Sequence, residues 1–424
     1  MLKPEALVIG GGVVGMTIAR QLAQDGTQIV IVEKGETLGG GAGNLHFFYD
    51  RESDVQKWLQ EMITAVESAE RITVHTGSQL KRFDGYMGCF QATIGARDGR
   101  ETSLTPSVLI LATGCTTRPP DTTDSKEKLI GFSEMETLLA GSPAGRHDGS
   151  VTWKGRPVKM VVYLLDRTND DIKIHTVNAI KQSIILQEKG CRVAVCAKDL
   201  KVSVAGMERL YRQAREKGVL FFKYDEPPVF SGTGEQTCIE IQDLTVLKKS
   251  DRTAVRIPFD LGVVSETFAA DPETEALCRL LKIRAGANGM LTEDNPQLQR
   301  VLSNRRGIFV AGACRFPQVI TESLSEAHAV VQEVKALLHG GAYTPVNPVA
   351  EVDPRKCAVC YSCVRLCPHA AIGVERYGER NVYAPPLNEA ENTLWGAARV
   401  EPCACFECGI CVAECPAKAI TLYQ

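Results

Sequence analysis

The fold is indicated by residues 5–33, which read EALVIGGGVVGMTIARQLAQDGTQIVIVE. A short apolar run ends at Gly10, an amphipathic segment extends from about Val13 to Gln24, and a second apolar run covers residues 28–33. This order predicts a strand, a helix and a second strand that lies parallel to the first. Residues 5–33 therefore predict an α/β unit.

The glycines between the first strand and the helix have the spacing G-x-G-x-x-G. In this motif Gly10 permits a tight turn, Gly12 lets the backbone approach a pyrophosphate, and Gly15 lets the helix pack on the strand. Glu33 ends the second strand, where an acid binds ribose hydroxyls. The alternative is a plain glycine turn, which the strand, the helix and Glu33 together argue against. The sequence therefore predicts a Rossmann-like dinucleotide site.

Later segments continue the α/β pattern. Apolar runs at 108–112 and 307–312 are predicted strands, and a helix from about Thr321 to Leu338 follows the second run. Between these runs the chain alternates again between strands and helices, predicted at 159–165, 174–188, 192–197, 206–217 and 219–223. Residues 227–275 are predicted to be rich in strands. Alternation of this kind predicts parallel sheets in both parts.

The chain is expected to divide into four parts. Residues 1–155 and 255–340 form the dinucleotide-binding domain, and residues 156–254 form an inserted α/β unit. The Gly- and Pro-rich segment 341–352 is a linker. Residues 353–424 form a small α+β domain.

The inserted unit differs from the first in its loop chemistry. Its first strand runs into Asp166-Arg167-Thr168-Asn169-Asp170, with no glycine where a second phosphate loop would lie. We therefore expect one dinucleotide per chain and no direct oxidation of a nicotinamide at this unit. His175 lies at the start of the next predicted helix, near acidic residues. Its side chain could have a metal-binding or proton-relay role, or it could be solvated at the helix start. The solvated helix start is the expectation.

Eight of the 16 cysteines lie in two copies of C-x-x-C-x-x-C-x-x-x-C-P. Each cysteine of the first copy recurs 48 residues later, as Cys357 does at Cys405. This is the bacterial ferredoxin spacing for two 4Fe–4S clusters, in which the fourth cysteine of each run binds the other cluster. A zinc site, the alternative, pairs two C-x-x-C units instead. The predicted ligand sets are Cys357, Cys360, Cys363 and Cys415 for one cluster, and Cys405, Cys408, Cys411 and Cys367 for the other.

The remaining cysteines form no C-x-x-C pair, so no redox disulfide is predicted. Most of Cys89, Cys115, Cys191, Cys196, Cys238, Cys278 and Cys314 are expected to be small core residues. Cys314 follows Gly312-Ala313, so proximity to a cofactor is the alternative for it. Cys403 is expected to be a bystander to a complete ligand set.

Composition excludes several functional classes. The formal net charge of −3, from 48 basic and 51 acidic residues, gives no electrostatic signature of nucleic-acid binding. No run of about 18 apolar residues occurs, so no membrane span is expected. The N-terminal residues do not resemble a signal peptide, because glycines interrupt the apolar stretch. We therefore expect a cytoplasmic protein, with any membrane association made through partner subunits.

The order of these motifs resembles the FAD-binding parts of flavin disulfide-reductase-type folds. More narrowly, residues 311–320, AGACRFPQVI, resemble the A subunit of heterodisulfide reductase, as do the middle unit and the ferredoxin-like tail. The chain is also similar to the A subunit of the quinone-interacting membrane-bound oxidoreductase, which implies a compact flavoprotein core. With the glycine motif, the resemblance predicts a set of FAD-binding residues: Gly10, Gly12, Val13, Val14, Gly15, Glu33, Lys34, Gly39, Gly40, Ala112, Thr113, Gly114, Gly312, Ala313, Gln318, Val319 and Ile320.

The resemblance implies an electron-transfer subunit that converts between the two-electron chemistry of FAD and the one-electron chemistry of its clusters. No residue is predicted to be catalytic in its own right. The implied partners are other redox subunits in a hetero-oligomer or a dimer, similar either to the B and C subunits of heterodisulfide reductase or to hydrogenase- or ferredoxin-like carriers. Electron bifurcation and anaerobic metabolism come with this family.

Two departures from the family pattern bear on that function. Gln318 replaces a lysine that the family places beside the flavin, and a neutral amide stabilises a reduced anionic flavin less than an ammonium, which argues against bifurcation. The segment Gly41–Leu45 carries no cysteine, so the extra cluster of the larger family members is not expected.

Two other functions remain as alternatives. One is a self-contained FAD-dependent oxidoreductase of ferredoxin or NAD(P)H, which the glycine-free second unit argues against. The other is a non-catalytic relay or assembly subunit, whose flavin would not change redox state during turnover.

Overall fold

The structure is a computed structural model, and it describes residues 5–50, 54–118, 128–141, 151–165, 172–231, 237–244, 254–339, 349–376 and 396–422. Two five-stranded parallel sheets and their helices account for most of these residues. The cysteine-rich tail is a smaller third part. The α/β class predicted from the sequence is confirmed.

The first sheet contains the segment from which the α/β unit was predicted. Its strands, in spatial order, are Ile308–Val310, Val108–Leu111, Glu5–Ile9, Gln28–Val32 and Ile72–His75. All four strand pairings are parallel. Its strands are mostly buried because both faces are covered, as parallel sheets require. The helices Val13–Gln24, Val55–Glu67 and Ile320–His339 share one hydrophobic core with this sheet.

The opposite face of the first sheet is covered by a small antiparallel sheet. Its strands are Ser78–Asp84, Gln91–Ala96 and Glu101–Leu104. Phe83 of this sheet and Phe90, which directly precedes its second strand, pack with the strand residues Leu7 and Leu109. The helix Thr274–Leu281 completes this second layer.

The second parallel sheet is wider than the predicted insert at 156–254. Its strands, in spatial order, are Leu220–Lys223, Arg192–Ala197, Met160–Leu164, Leu261–Val264 and Leu129–Gly131. The last two lie outside the predicted boundaries. A strand of three residues, such as Leu129–Gly131, is too short to show a pattern of its own, and only its pairing with residues 262–264 defines it.

Three helices pack on the second sheet, and they are Phe132–Gly141, Ile172–Glu188 and Met207–Glu216. A three-stranded antiparallel sheet, Val229–Ser231, Cys238–Ile241 and Val255–Pro258, lies beside it. The connection back to the first sheet is a strand pair, Thr267–Ala269 with Thr116–Arg118. The remaining short elements are the hairpin Thr152–Trp153 and Arg156–Pro157 and the 3-10 helix Gly40–Asn44.

The tail has an internal two-part arrangement that matches its sequence repeat. Each copy contributes one short helix, Ser362–Leu366 and Ile410–Ala413, and a 3-10 turn spans Pro402–Ala404. The strand pairs are Ala350–Val352 with Ile420–Leu422 and Ile372–Arg376 with Gly396–Val400. Residues 341–348 of the predicted linker lie outside the described residues, and its last three residues form a tail strand. None of the helices in the described residues is long and apolar enough to cross a membrane.

Candidate dinucleotide crevice and cysteine cavities

The predicted FAD-binding segments meet at one edge of the first sheet. Gly10 follows the strand Glu5–Ile9, Glu33 follows Gln28–Val32, Ala112-Thr113-Gly114 follows Val108–Leu111, and Gly312 follows Ile308–Val310. Because the strands are parallel, their carboxyl ends lie together at this edge. Ligands of open α/β sheets bind in the crevice at this edge.

Two glycines of the loop are required by the protein itself. Gly10 has a φ of 111°, and a Cβ there would lie 2.3 Å from the carbonyl oxygen of Ala112. A Cβ at Gly15 would lie 2.0 Å from the carbonyl oxygen of Gly10, where the helix crosses the strand. Both positions therefore exclude every other residue on steric grounds.

Gly12 is different, because nothing in the described part of the protein requires a glycine there. Its φ of −75° suits any residue, and the nearest atom to an added Cβ is the Cα of Gly40 at 4.0 Å. Gly12 is also the N-cap of the helix Val13–Gln24, and no side chain of the described residues caps this helix end. Free N–H groups and an open space in front of them form a cradle for an anion such as a pyrophosphate.

The Gly39-Gly40 segment closes over this loop. The N–H of Gly39 donates to the carbonyl oxygen of Gly11 at 2.9 Å, and Gly39 forms an isolated bridge with Gly12. Gly40 has a φ of 54° and approaches the Cα of Gly12. The two glycine segments therefore face each other across the start of the helix.

Glu33 is held in place by the backbone on both sides of its carboxylate. Oε2 accepts the N–H of Gly11 at 2.6 Å, and Oε1 accepts the N–H of Gly35 at 2.7 Å. Each oxygen keeps a lone pair for a hydroxyl donor. By contrast, the ammonium of Lys34 pairs with Asp271, so this predicted residue is already engaged by a protein carboxylate.

Two buried side-chain oxygens among the predicted residues have no hydrogen-bond partner in the part of the chain that the structure describes. They are Thr113 Oγ1 and Gln318 Oε1. The amide orientation of Gln318 follows from its neighbour, because its Nε2 lies 3.1 Å from Oε2 of Glu326 and a carboxylate only accepts. Oε1 is therefore the free atom. Buried polar atoms are normally paired, so both oxygens are available to a ligand with an N–H or O–H group.

Glu326 also positions the adjacent loop. Its Oε2 accepts the N–H of Gly312 at 2.8 Å, and its Oε1 pairs with Arg315 at 2.6 Å. Arg315 is buried and pairs on its other side with Glu293 at 2.9 Å. Burial alone would lower the pKa of Arg315, but the two carboxylates raise it above its usual value. The loop that carries Ala313 and Gln318 is thus fixed by a charged triad.

The side chains of other predicted residues in this region pack in the hydrophobic cores or begin a helix. Val319 packs with the core of the second sheet, and Ile320 is the first residue of the long helix. Val13 and Val14 are buried at the start of the first helix, where a Cβ at Gly312 would meet Val14 at 2.8 Å. Cys314 is buried, and burial raises the pKa of its thiol to about 12. Cys314 is therefore a small core residue.

The tail contains two cavities, each with four cysteines among its lining residues. One is lined by Cys357, Cys360, Cys363 and Cys415. The other is lined by Cys367, Cys405, Cys408 and Cys411. Each cavity thus takes three cysteines from one copy of the repeat and the fourth from the other. The side chain of Cys403 lies outside the described residues.

Backbone N–H groups surround the cysteine sulfurs. Cys357, Cys367, Cys405 and Cys415 each accept one, from Ala398, Ala371, Glu407 and Ala419 in that order, at 3.3 to 3.5 Å. Burial and the neighbouring thiols, first among them Cys405, raise the pKa of Cys411 to about 11. The raised pKa reflects the cost of placing negative charge among buried neighbouring sulfurs. Sequence patterns carried no signal for these N–H donors.

Among the described residues, no three His, Cys, Asp or Glu side chains lie close enough together to hold a metal ion.

The expectation of a solvated helix start at His175 is wrong. His175 is buried, and its ring stacks between Phe132 and Phe268, with centroid distances of 5.2 and 5.7 Å. Neither ring nitrogen has a hydrogen-bond partner among the described residues. Burial lowers the pKa of His175 to about 4. Both phenylalanines are far away in sequence, which is why the local pattern missed them.

A buried ion pair was also missed from the sequence. Lys181 and Glu136 pair at 2.9 Å, with side chains only 6% and 2% exposed. Glu136 also accepts the N–H groups of His46 and Phe47, both at 3.1 Å. The pair therefore ties the loop after Gly40–Asn44 to the helices of the second sheet.

Comparisons with known proteins define the class. The family described as FAD dependent oxidoreductase matches residues 5–82. Thioredoxin reductase of Lactococcus lactis has a similar fold, with a TM-score of 0.51 and 15% identity over 80% of this chain and 100% of that one. The flavoprotein disulfide reductase RclA of Escherichia coli gives a TM-score of 0.50 at 14% identity, over 82% of this chain and 74% of that one. The chain therefore has a Rossmann-like fold, and its first 82 residues include a domain of the FAD-dependent oxidoreductase type.

The particular resemblance predicted from the motifs is confirmed. A protein of Archaeoglobus profundus, named as similar to the A subunit of heterodisulfide reductase, is 27% identical over 287 residues, 66% of this chain and 39% of that protein. The A subunit of the ferredoxin/F420H2-dependent CoB-CoM heterodisulfide reductase of Methanosarcina acetivorans is 23% identical over 462 residues, 87% of this chain and 57% of that protein. The chain is thus related to the A subunit of heterodisulfide reductase over most of its length, although it spans only about half of these relatives.

Proposed function

We propose that this chain is an electron-transfer subunit of a heterodisulfide-reductase-like complex, with one FAD in the crevice and two 4Fe–4S clusters in the tail. Reduced FAD releases two electrons and each cluster accepts one, so the flavin is the point at which electron pairs are divided. Working in the opposite direction, two clusters would supply the pair.

The observation that carries this proposal is the crossed composition of the two cysteine cavities. In two-cluster ferredoxins the fourth cysteine of each run binds the other cluster. Each cavity of the tail has that composition. This supports the two ligand sets of a two-cluster ferredoxin.

FAD binding is proposed to use the open features of the first crevice. Gly12 and the helix start would face the pyrophosphate, and the carboxylate of Glu33 would accept ribose hydroxyls. Thr113 and Gln318 would each accept one hydrogen bond from the cofactor. Lys34 is the weakest member of the predicted set, because Asp271 already holds its ammonium.

The fold supports a revised division of the chain. We assign residues 5–118 and 267–339 to the FAD-binding domain, because they contain the first sheet and its covering layer. The second unit then covers residues 128–264, which include every strand of the second sheet. The tail begins before the strand Ala350–Val352.

The partners are proposed to be other redox proteins. A chain similar to one subunit of a multi-subunit reductase needs the others, and its clusters suit one-electron carriers such as ferredoxin-like or hydrogenase-linked proteins. Bifurcation is a weaker part of the proposal, because Gln318 offers the flavin an acceptor oxygen and no positive charge.

The first experiment measures FAD and iron in protein purified without oxygen. We expect one FAD and about eight irons per chain. The variant Cys405→Ser should lose about four of them. Cys403→Ser is the matched control two residues away, and it should keep all of them. About four irons in the unmodified protein, or none, would contradict the paired clusters, and the absence of flavin would contradict the proposed FAD site.

A further inference from the structure

Within the described residues, the tail contacts the FAD-binding domain mainly beside one of its two cysteine cavities. His369 and Phe406 line the cavity of Cys367, Cys405, Cys408 and Cys411. Their rings stack at 4.1 Å with an interplanar angle of 10°, and the His369 Nδ1 lies 2.8 Å from the carbonyl oxygen of Asn304. Asn304 in turn donates its side-chain amide to the carbonyl oxygen of Pro368.

A cationic contact completes this docking surface. The guanidinium of Arg306 lies 4.6 Å from the ring centre of Phe406 and pairs with Glu407 at 3.5 Å. Both members of the ion pair are largely buried, at 17% and 16% exposure. Tyr86 also packs against the core of the tail. The tail is therefore seated on the domain by aromatic, polar and charged contacts together.

These contacts lie at the amino-terminal edge of the first sheet. Asn304 and Arg306 come just before the strand Ile308–Val310. Close to Tyr86, the N–H of Gly88 donates to the carbonyl oxygen of Ser107, which directly precedes the strand Val108–Leu111. The amino ends of two neighbouring strands therefore face the tail.

The dinucleotide crevice lies at the opposite edge of the same sheet. Gly312 follows the strand Ile308–Val310, and Arg306 lies just before the other end of that strand. The five-residue strand Glu5–Ile9 alone spans about 17 Å. The cysteine cavity lies beyond the amino edge, behind Phe406 and His369. A direct path from the crevice to this cavity therefore crosses the sheet along its strands.

We propose that the flavin and the tail clusters of one chain are separate electron ports at opposite edges of the first sheet, and that electrons pass between them through a second protein molecule. This inference rests on the proposed function. Reduced flavin loses two electrons and its protons go to solvent, while the second molecule takes up the electrons one at a time at iron–sulfur centres. A second copy of this chain carries such centres in its own tail.

The test follows electron exchange in the purified protein by absorbance. The flavin is reduced in a short pulse without oxygen, and the bleaching of the clusters is recorded over a hundredfold range of protein concentration. We expect a rate proportional to concentration, or no exchange until a two-cluster ferredoxin is added. A rate independent of concentration in monomeric protein would overturn the inference.

If the protein is a stable dimer, dilution does not separate the two copies. The dilution series is then replaced by an experiment on mixed dimers. One chain carries Gly12→Ala and is freed of its weakly bound flavin by dialysis, and the other carries Cys357→Ser with Cys405→Ser and lacks intact clusters. Exchange in the mixed dimer supports transfer between copies. Loss of exchange there, with a rapid rate in the unmodified dimer, overturns it.

A second set of variants loosens the docked contact itself. In Arg306→Gln combined with Phe406→Leu, a direct path through the docking surface would slow exchange at least tenfold, whereas the proposal expects no decrease. Arg399→Gln removes an exposed arginine of the tail and is the control. FAD and iron are measured in every sample. Missing irons in the unmodified protein would contradict the proposed function, while complete cofactors with concentration-independent exchange would contradict only the separate ports.

Discussion

The two parallel sheets have similar topology, but they differ in whether side chains fill the edge at the carboxyl ends of their strands. At the first sheet, this edge is open: Gly12 leaves a space in front of a helix, and the oxygens of Thr113 and Gln318 have no partner among the described residues. At the second sheet the same edge is filled. Phe132 and Phe268 enclose His175, and a Cβ on Gly131 would meet the Glu266 carboxylate at 2.2 Å.

The difference shows that the fold alone does not make a dinucleotide site. Both sheets follow the strand–helix–strand pattern, but only one combines it with a glycine loop. The second sheet uses its helices for packing and for holding the loop at His46 and Phe47. The carboxyl edge of the first sheet is open because its loop residues are glycines. The carboxyl edge of the second sheet is closed because large side chains pack there.

The largest expected effect comes from breaking the buried pair of the second unit. Lys181→Met would leave the Glu136 carboxylate buried without its cation, at a cost of about 3–5 kcal/mol in the free energy of unfolding. Chemical denaturation measures this change. Lys217→Met, which removes a partly exposed partner of Glu188, is the control and should cost about 1 kcal/mol or less. Equal effects of the two variants would show that the second unit is not held by this pair.

A methyl group added at Gly12 of the first crevice should weaken FAD binding and leave the stability of the protein unchanged. Gly12→Ala adds a Cβ whose nearest described neighbour is 4.0 Å away but which occupies the space in front of the helix. We expect FAD affinity to fall by about 30- to 150-fold, equivalent to about 2–3 kcal/mol, with the apoprotein unfolding at the same temperature. Titration with FAD measures the affinity, and Gly373→Ala is the control. An unchanged affinity would place the cofactor elsewhere.

The same contrast explains what the sequence predicted well. The glycine loop, its strand and its helix are close together in the chain, so residues 5–33 were sufficient to predict them. The helix predicted at about Val13–Gln24 is observed with those bounds. Each cavity is lined by the four cysteines that spacing grouped together, and their role as cluster ligands stays a prediction.

Features that depend on distant pairing were not predictable in this way. The strand Leu129–Gly131 is defined by its partner at residues 262–264, and the burial of His175 depends on rings more than 40 and 90 residues away. The Lys181–Glu136 pair joins two helices of the second unit. Local periodicity carries no information on such contacts.

His175 makes the filled edge sensitive to acid. Because its pKa is lowered to about 4 in the folded chain, the unfolded chain, with a pKa near 6.5, binds the proton first as pH falls. Stability is therefore complete above about pH 6.5 and declines toward pH 4. The loss between pH 7.5 and pH 5 is about 2 kcal/mol. His175→Phe should remove this part of the pH dependence.

The quantity to measure is the difference in free energy of unfolding between the unmodified chain and His175→Phe. Unfolding of the unmodified chain and of His175→Phe is compared at pH 7.5 and pH 5, so that effects of acid on other groups cancel. His328→Phe, on the helix Ile320–His339, is a control that should leave the difference unchanged. A parallel pH response in wild type and His175→Phe would contradict a neutral, buried His175.

The smallest expected effect tests the open edge at one atom. Gln318→Leu removes the unpaired Oε1 and should weaken FAD binding about fivefold, the equivalent of one hydrogen bond of about 1 kcal/mol. Gln318→Lys should instead raise the midpoint potential of the flavin, because an ammonium stabilises the more negative reduced form. If neither affinity nor potential changes, Oε1 does not face the cofactor. The glycine loop, rather than Gln318, would then determine how tightly FAD binds at the open edge.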